Sequence, residues 1–145
     1  MPRIERSAQV VWEGNVARGQ GRITAATGAF TDLPYSLAAR IGSPEGKTSP
    51  EELLAAAHGG CFTMSLATEL VQAGTPPGRL VVRCRIVMDE VEGEGHQIVG
   101  SIVTVAAEVE GTDRAALEAA IEKADEGCPF SALLKRAGAD VQVSL

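Results

Sequence analysis

A long apolar segment between Ser49 and Gly74 constrains the fold of this 145-residue chain more than any other feature. Ser49 and Pro50 are typical of a helix N-cap and a first helical position, and Glu52 stands three residues after Ser49, as in a capping box. Gly74 is a typical helix stop. Because little polar face remains between these ends, we predict a helix enclosed by other structure. The apolar side chains of the segment include Leu53, Leu54, Ala57, Cys61, Met64 and Leu66.

Shorter segments around this helix alternate between strand and helix patterns. A period of two, or a β-like composition between glycines, predicts strands over residues 8–12, 21–25, 35–41, 80–88, 98–109 and 141–145. The acidic connection over residues 89–95 favours a hairpin. A period of 3.6 predicts helices from Arg114 to Glu126, capped by Thr112 or Asp113, and from Pro129 to about Ala137. We therefore expect one α+β domain over residues 1–145 with a mostly antiparallel sheet.

Composition and charge exclude several classes of protein. The net charge of −6 argues against nucleic acid as a partner, since phosphate binding needs a basic surface. Residues 53–67 fall short of the ~20 apolar residues that a membrane span needs, and residues 1–6 do not resemble a signal peptide. Three cysteines are too few for a disulfide scaffold. We expect a cytoplasmic protein without membrane contact, in which any disulfide is transient.

Two of the three cysteines stand in distinctive settings. Cys61 lies inside the apolar helical pattern, and Cys128, in Gly127-Cys128-Pro129-Phe130-Ser131, stands where a helix should begin. A thiol in an apolar pocket and a second thiol at a helix N-terminus are the groups that two-cysteine redox chemistry uses. Cys84 alternates with apolar neighbours on a strand face, which predicts a structural role.

These motifs resemble those of the OsmC/Ohr family, the osmotically inducible protein C and organic hydroperoxide resistance proteins, and are closer to the OsmC branch. The matching segments run nearly end to end. They are Trp12-Glu13-Gly14, Arg18-Gly19-Gln20-Gly21, Pro34-Tyr35 with Arg40, Pro50-Glu51-Glu52-Leu53, Ala56-Ala57-His58, Cys61-Phe62, Gly127-Cys128-Pro129 and Ser131.

The resemblance implies an OsmC-like fold with a buried central helix in an intertwined homodimer, acting as an organic hydroperoxide reductase. It implies that Cys61 is the peroxidatic thiol and Cys128 the resolving thiol, and that Arg40 and Glu51 complete the catalytic set. Arg18 stands where the Ohr pattern has its arginine. The implied reductant is a lipoyl-type dithiol, and we expect no bound cofactor or metal. His58 could tune the thiol, but the Ohr branch has another residue type there, so we expect it to be structural.

Thiol chemistry explains these residue types. A thiolate attacks peroxide, whereas an ordinary cysteine with a pKa near 8.5 is mostly protonated at neutral pH, and burial raises that pKa further. A guanidinium favours the thiolate, and a carboxylate orients the guanidinium through bidentate hydrogen bonds. Attack yields a sulfenic acid, which condenses with a second thiol to a disulfide.

The spacing of Glu51 and Cys61 bears on the assembly. Ten residues of continuous helix span about 15 Å and turn the side chain by about 280°. Unless Gly59-Gly60 break the helix, Glu51 cannot reach the thiol of its own chain. Two antiparallel copies of the helix would bring Glu51 of one copy against Cys61 of the other, so we expect a homodimer.

Other functions are compatible with the same pattern. A non-enzymatic redox sensor or a hydrophobic-ligand-binding protein could keep the fold, and turnover would distinguish either from an enzyme. A protein thiol–disulfide oxidoreductase is disfavoured because the chain has no Cys-X-X-Cys pair. A metal site from His58, Cys61 and Cys128 lacks a fourth ligand and close ligand spacing.

Overall fold

The structure is a computed structural model that describes residues 2–145. The chain divides into an N-terminal unit that ends at Pro50 and a C-terminal unit, Glu51–Leu145. Within residues 2–145, no helix combines the length and the hydropathy that a bilayer span requires.

The N-terminal unit is a small antiparallel sheet followed by one short helix. Its strands β1 (Ala8–Glu13), β2 (Gln20–Ala25) and β3 (Leu33–Tyr35) pair in the order β1-β2-β3, and helix α1 spans Leu37–Ile41. A Cβ atom at Gly21 would lie 2.1 Å from the Tyr35 ring, so the β2–β3 pairing requires glycine there.

The prediction of a strand over residues 35–41 is wrong beyond Tyr35. The Ser36 hydroxyl accepts a hydrogen bond from the backbone N–H of Ala39 at 3.2 Å, which makes Ser36 the N-cap of α1. Leu, Ala and Arg, which follow this cap, are strong helix formers. The local capping bond and these propensities outweigh the weak strand pattern.

The C-terminal unit holds a three-stranded sheet and three helices. Helix α2 begins at Pro50 and spans Pro50–Gln72. The later elements are β4 (Arg79–Val91), β5 (Gly95–Glu108), α3 (Arg114–Gly127), α4 (Pro129–Arg136) and β6 (Asp140–Ser144). Strands β4 and β5 form the predicted antiparallel hairpin, and β6 pairs parallel to β5. The connection from β5 to β6 runs through α3 and α4.

Helix α2 continues without interruption through Gly59-Gly60 and ends before Gly74, whose φ of +78° suits glycine. Every fourth residue from His58 onwards is buried: Phe62, Leu66 and Leu70 follow it. This row packs with inward residues of β5 and α3, which are Val103, Val105, Leu117, Ala120, Ile121 and Ala124. His58 is therefore a polar side chain in line with an apolar core.

The opposite face of α2 is open in the single chain. Ala56, Gly60, Met64 and Val71 are exposed there, Met64 to 75% and Val71 to 58%. Within one copy of the chain, other structure thus covers only one side of α2, whereas the sequence predicted that it would be enclosed.

Candidate active site

Cys128 occupies the junction between α3 and α4. Helix α3 ends at Gly127, and Pro129 supplies the first residue of α4, so Cys128 between them is the N-cap of α4. Its side chain is fully buried, and its sulfur accepts a hydrogen bond from the backbone N–H of Ser131 at 3.5 Å. The predicted position of this cysteine at a helix N-terminus is confirmed.

Cys61 lies in the middle of α2 and reaches this junction. It is partly buried against the apolar core that includes Cys128, and the Cys128 thiol lies near enough to raise the pKa of Cys61. The backbone N–H of Phe130, in the first turn of α4, also interacts with the Cys61 sulfur. Both cysteines are free thiols. The structure therefore brings together two sulfur atoms that are 67 residues apart in the sequence.

The surroundings of Cys61 disfavour its thiolate. Burial raises the pKa of Cys61, and the hydrogen bond and the charge interaction with Cys128 raise it further. The Phe130 N–H opposes them by stabilising the anion. This raised pKa keeps the thiol protonated at neutral pH, and a cation close to its sulfur would favour the thiolate.

The two candidate arginines belong to different surroundings within the N-terminal unit. Arg40 lies in the last turn of α1 and lines a cavity of about 310 Å³ with Trp12, Tyr35 and Leu37. The ring centroids of Trp12 and Tyr35 are 5.5 Å apart. Arg18 lines a separate, more polar cavity beside Glu13. Of these two arginines, only Arg40 thus lies in a cavity with aromatic side chains.

Glu51 lies in the first turn of α2, where the helix dipole favours a carboxylate. Since α2 is unbroken between Glu51 and Cys61, the separation of about 15 Å along the axis holds. A single chain does not bring Glu51 to Cys61.

His58 connects three elements through hydrogen bonds that the sequence did not reveal. Its Nδ1 lies 2.6 Å from Ser101 Oγ on β5, and its Nε2 lies 2.7 Å from Ser131 Oγ on α4. All three side chains are fully buried. The predicted structural character of His58 is consistent with this satisfied position, but its contact with Ser131 places it one turn from Cys128.

Burial lowers the pKa of His58, as does nearby Lys135, whereas Asp125 raises it; burial is the largest cause. The ring is therefore neutral at pH 7, with one nitrogen donating and the other accepting. A serine hydroxyl can take either role, so both bonds form. Asp125 and Lys135 themselves form an ion pair that joins α3 to α4 across the Cys128 junction.

Cys84 joins the same network through a sulfur hydrogen bond with Ser101. Its sulfur is 3.4 Å from Ser101 Oγ and 3.7 Å from His58 Nδ1. Burial raises the pKa of Cys84, while hydrogen bonds from Ser101 and Gly59 partly oppose this. Cys84 is a protonated thiol in the wall of the core, which supports its structural assignment.

One sequence signal points to the missed partners of His58. A histidine at the start of a row spaced by four with Phe62, Leu66 and Leu70 must be buried, and a buried imidazole needs partners for both nitrogens. Ser101 lies two residues before Val103 on the inward face of β5, and Ser131 follows Cys128 by one turn. Both serines were therefore recognisable candidates.

Within residues 2–145, no group of three or more His, Cys, Asp or Glu side chains is placed so that it could hold a metal ion.

The model for a family described as OsmC-like protein matches residues 42–144 of the chain. The chain belongs to the OsmC family.

Curated relatives agree with this assignment. The chain is 34% identical over 132 residues to peroxiredoxin OsmC of Escherichia coli K12, a match that covers 91% of each protein. The peroxiredoxin OsmC of Shigella flexneri matches equally well.

Solved structures agree as well. The organic hydroperoxide resistance protein OhrB of Bacillus subtilis superimposes with a TM-score of 0.75 at 25% identity, covering 96% of this chain and 97% of that one. An OsmC-like protein from Vibrio cholerae has a TM-score of 0.78 at 15% identity, with 99% of each chain covered, and supports the fold alone. The predicted OsmC-like α+β fold is confirmed.

Proposed function

We propose that this OsmC-family chain reduces organic hydroperoxides to alcohols with Cys61 as the peroxidatic thiol and Cys128 as the resolving thiol. Its relatives named as a peroxiredoxin and as an organic hydroperoxide resistance protein support a thiol-dependent peroxidase. The observation that carries the residue assignment is the proximity of the two free thiols, because a sulfenic acid on Cys61 would then have a second thiol nearby with which to condense.

The proposed cycle has three balanced steps. The Cys61 thiolate attacks the outer peroxide oxygen, the O–O bond breaks, and the alkoxide leaves as alcohol after taking up a proton. The Cys61 sulfenic acid then condenses with the Cys128 thiol, which forms the disulfide and releases water. A dithiol finally reduces the disulfide and is itself oxidised to a disulfide. A dithiol suits this step because its second thiol can attack the mixed disulfide within the same molecule and release the protein thiol. The family resemblance points to a lipoyl-type dithiol.

Arg40 is the group that we propose to hold the Cys61 thiolate, and Glu51 is the group that orients the guanidinium. The raised pKa of Cys61 supports the need for a cation. The aromatic wall beside Arg40 and the apolar core beside Cys61 favour an organic peroxide over hydrogen peroxide.

The geometry of α2 supports the proposal of a homodimer. Glu51 and Cys61 of one chain point to different places along an unbroken helix, and the opposite face of this helix exposes apolar Met64 and Val71. A second copy of the chain, packed with its α2 antiparallel, covers that face and supplies the missing carboxylate.

Two further assignments accompany this function. Residues 1–145 form one OsmC-like domain, supported by the match to the Escherichia coli relative over 91% of the chain. The protein works in the cytoplasm, supported by three free cysteines and by a cycle that needs a reducing dithiol.

The test compares three serine variants in multi-turnover peroxide consumption with a dithiol. Cys61→Ser should abolish reduction of cumene hydroperoxide. Cys128→Ser should permit one oxidation, after which Cys61 proceeds to the sulfinic acid. Cys84→Ser should retain activity near wild type, and peptide mapping after one equivalent of peroxide should find the Cys61–Cys128 disulfide. Full turnover by Cys61→Ser, or a disulfide that involves Cys84, would refute the assignment.

A further inference from the structure

Two contacts join α2 to the beginning of α4, and both use residues spaced by three. On α2, His58 and Cys61 are three residues apart and lie on neighbouring positions of one face. At the start of α4, Cys128 and Ser131 have the same spacing. His58 Nε2 lies 2.7 Å from Ser131 Oγ, and Cys61 packs against the core cluster that contains Cys128, whose thiol raises the pKa of Cys61. The two contacts are therefore parallel connections between the same two segments.

The His58–Ser131 bond is sealed from solvent. Both side chains are 0% exposed, so water cannot replace the bond if it breaks. Ser131 is also tied to the resolving cysteine, because its backbone N–H donates to Cys128 Sγ. Any movement of Ser131 away from α2 would thus move the Cys128 cap with it.

We propose that His58 is a positioning residue for the resolving step, holding Ser131 so that Cys128 stays within reach of the oxidised Cys61. This inference rests on the proposed peroxidase cycle. In the resolving step the Cys128 sulfur attacks the sulfur of the Cys61 sulfenic acid. The S–S bond forms as the S–O bond breaks, and hydroxide leaves with the Cys128 proton as water. Attack within one molecule depends steeply on how closely the two sulfur atoms are held.

Competition with a second peroxide makes this role measurable. A sulfenic acid that waits longer for Cys128 is exposed to further oxidation to the sulfinic acid, which a dithiol does not reverse. Loosening the His58–Ser131 connection should therefore slow disulfide formation and increase overoxidation, while the first attack on peroxide continues at its normal rate.

The decisive comparison removes one serine hydroxyl at a time from the two ends of His58. Ser131→Ala breaks the bond to α4, whereas Ser101→Ala breaks the bond to β5 and serves as the matched control, since both serines are fully buried and bonded to the same ring. Ser131→Thr keeps the hydroxyl. Stopped-flow mixing of each full-length reduced variant with cumene hydroperoxide would follow sulfenic acid formation and its decay separately, and mass spectrometry would quantify the sulfinic acid.

We expect sulfenic acid formation within about twofold of wild type in all three variants. Disulfide formation should fall about tenfold in Ser131→Ala, the rate change that corresponds to one buried hydrogen bond, with more sulfinic acid. Ser131→Thr and Ser101→Ala should resolve at nearly the wild-type rate, even if Ser101→Ala loses as much thermal stability as Ser131→Ala.

Unchanged resolution in Ser131→Ala, or equal slowing in Ser101→Ala and Ser131→Ala, would overturn the role of His58. If disulfide formation slowed equally in these two variants, its cause would be a general loss of core packing. Failure of the peroxidase proposal looks different, because the wild-type protein would then form no sulfenic acid on Cys61 or no disulfide with Cys128. If Ser131→Ala does not fold, His58→Gln takes its place. Slowed resolution in His58→Gln with normal sulfenic acid formation would support the role, and wild-type resolution in it would overturn it.

Discussion

At the scale of single residues, the pKa of Cys61 poses the main chemical problem of the molecule. Burial and the neighbouring Cys128 raise this pKa, and the Phe130 N–H opposes them. One neutral N–H donor is a weak substitute for a full positive charge beside a thiolate. In the proposed peroxidase, a guanidinium from elsewhere in the sequence is therefore assigned to hold the Cys61 thiolate.

Arg40→Ala should raise the pKa of Cys61 by about one unit or more and slow peroxide reduction at pH 7 at least about tenfold, since the charge that holds the thiolate is lost. Arg18→Ala, the matched control in the same unit, should have a much smaller effect. Thiol titration and peroxide consumption measure both quantities. A larger effect at Arg18 would mean that the chain follows the arginine placement of the Ohr branch.

His58 should make the stability of the protein sensitive to mild acid. Its pKa is below the ordinary value of about 6.5 in the folded chain because burial disfavours the charged ring. Between those two values the unfolded chain binds more protons than the folded chain, so the free energy of unfolding falls as the pH decreases below about 6.5. Asp125, which raises the pKa, and Lys135, which lowers it, are the charges facing the ring, beside the neutral Ser101, Ser131 and Cys84.

Urea unfolding between pH 8 and pH 5 would measure this dependence. In wild type we expect a decrease that approaches about 1.4 kcal/mol per pH unit below pH 6.5, the limit for one proton. His58→Gln should be less stable at pH 8 but should lose this part of the slope, while exposed His96 remains in both proteins as an internal control. Equal slopes in the two proteins would show that other groups bind the proton.

At the scale of secondary-structure elements, α2 is a two-sided helix. One side carries His58, Phe62 and Leu66 into the core, and the other exposes Met64 and Val71. An exposed apolar helix face loses the free energy of burial unless another surface covers it. The open side of α2 is therefore where we place the second copy of the chain.

Met64→Glu should weaken the dimer, because it would bury an unpaired charge in the interface. Ala119→Glu is the control, since it adds the same charge to an exposed position of α3. Sedimentation equilibrium should find Met64→Glu largely monomeric at concentrations where wild type and Ala119→Glu are dimeric, and its peroxidase activity should fall with the dimer. A dimeric and fully active Met64→Glu protein would place the interface elsewhere.

At the scale of the whole molecule, the active site is expected to be shared between two chains. The continuity of α2 through Gly59-Gly60 removes the only local break that could have brought Glu51 back towards Cys61 of its own chain. Complementation between two defective chains tests the consequence directly.

Cys61→Ser and Glu51→Gln chains should each be weakly active alone, and co-refolding them should restore activity. The Glu51→Gln chain supplies an intact Cys61, and the Cys61→Ser chain supplies an intact Glu51, so each mixed dimer contains one complete site. Peroxide consumption by mixed dimers, isolated through two different affinity tags, is the measurement. Activity that stays at the level of the parents would show that Glu51 does not serve Cys61 across an interface.

Much of the fold was predictable because its signals are local. The start of α2 at Pro50, the strands β4 and β5, and Cys128 between Gly127 and Pro129 are signalled by neighbouring residues, and the structure contains them. The short helix α1 was missed because five residues carry too little periodicity to outweigh a β-like composition, and its Ser36 cap was overlooked.

The sequence by itself therefore determined most of the elements, the position of Cys128 at a helix start and, through the family resemblance, the chemistry expected of two thiols. Only the tertiary structure decided that Cys61 lies near Cys128, and that His58 binds Ser101 and Ser131, which follow it by 43 and 73 residues. Contacts over such separations depend on how α2, β5 and α4 pack against one another. Periodicity describes which face of an element is buried, but not which residue of another element it meets there.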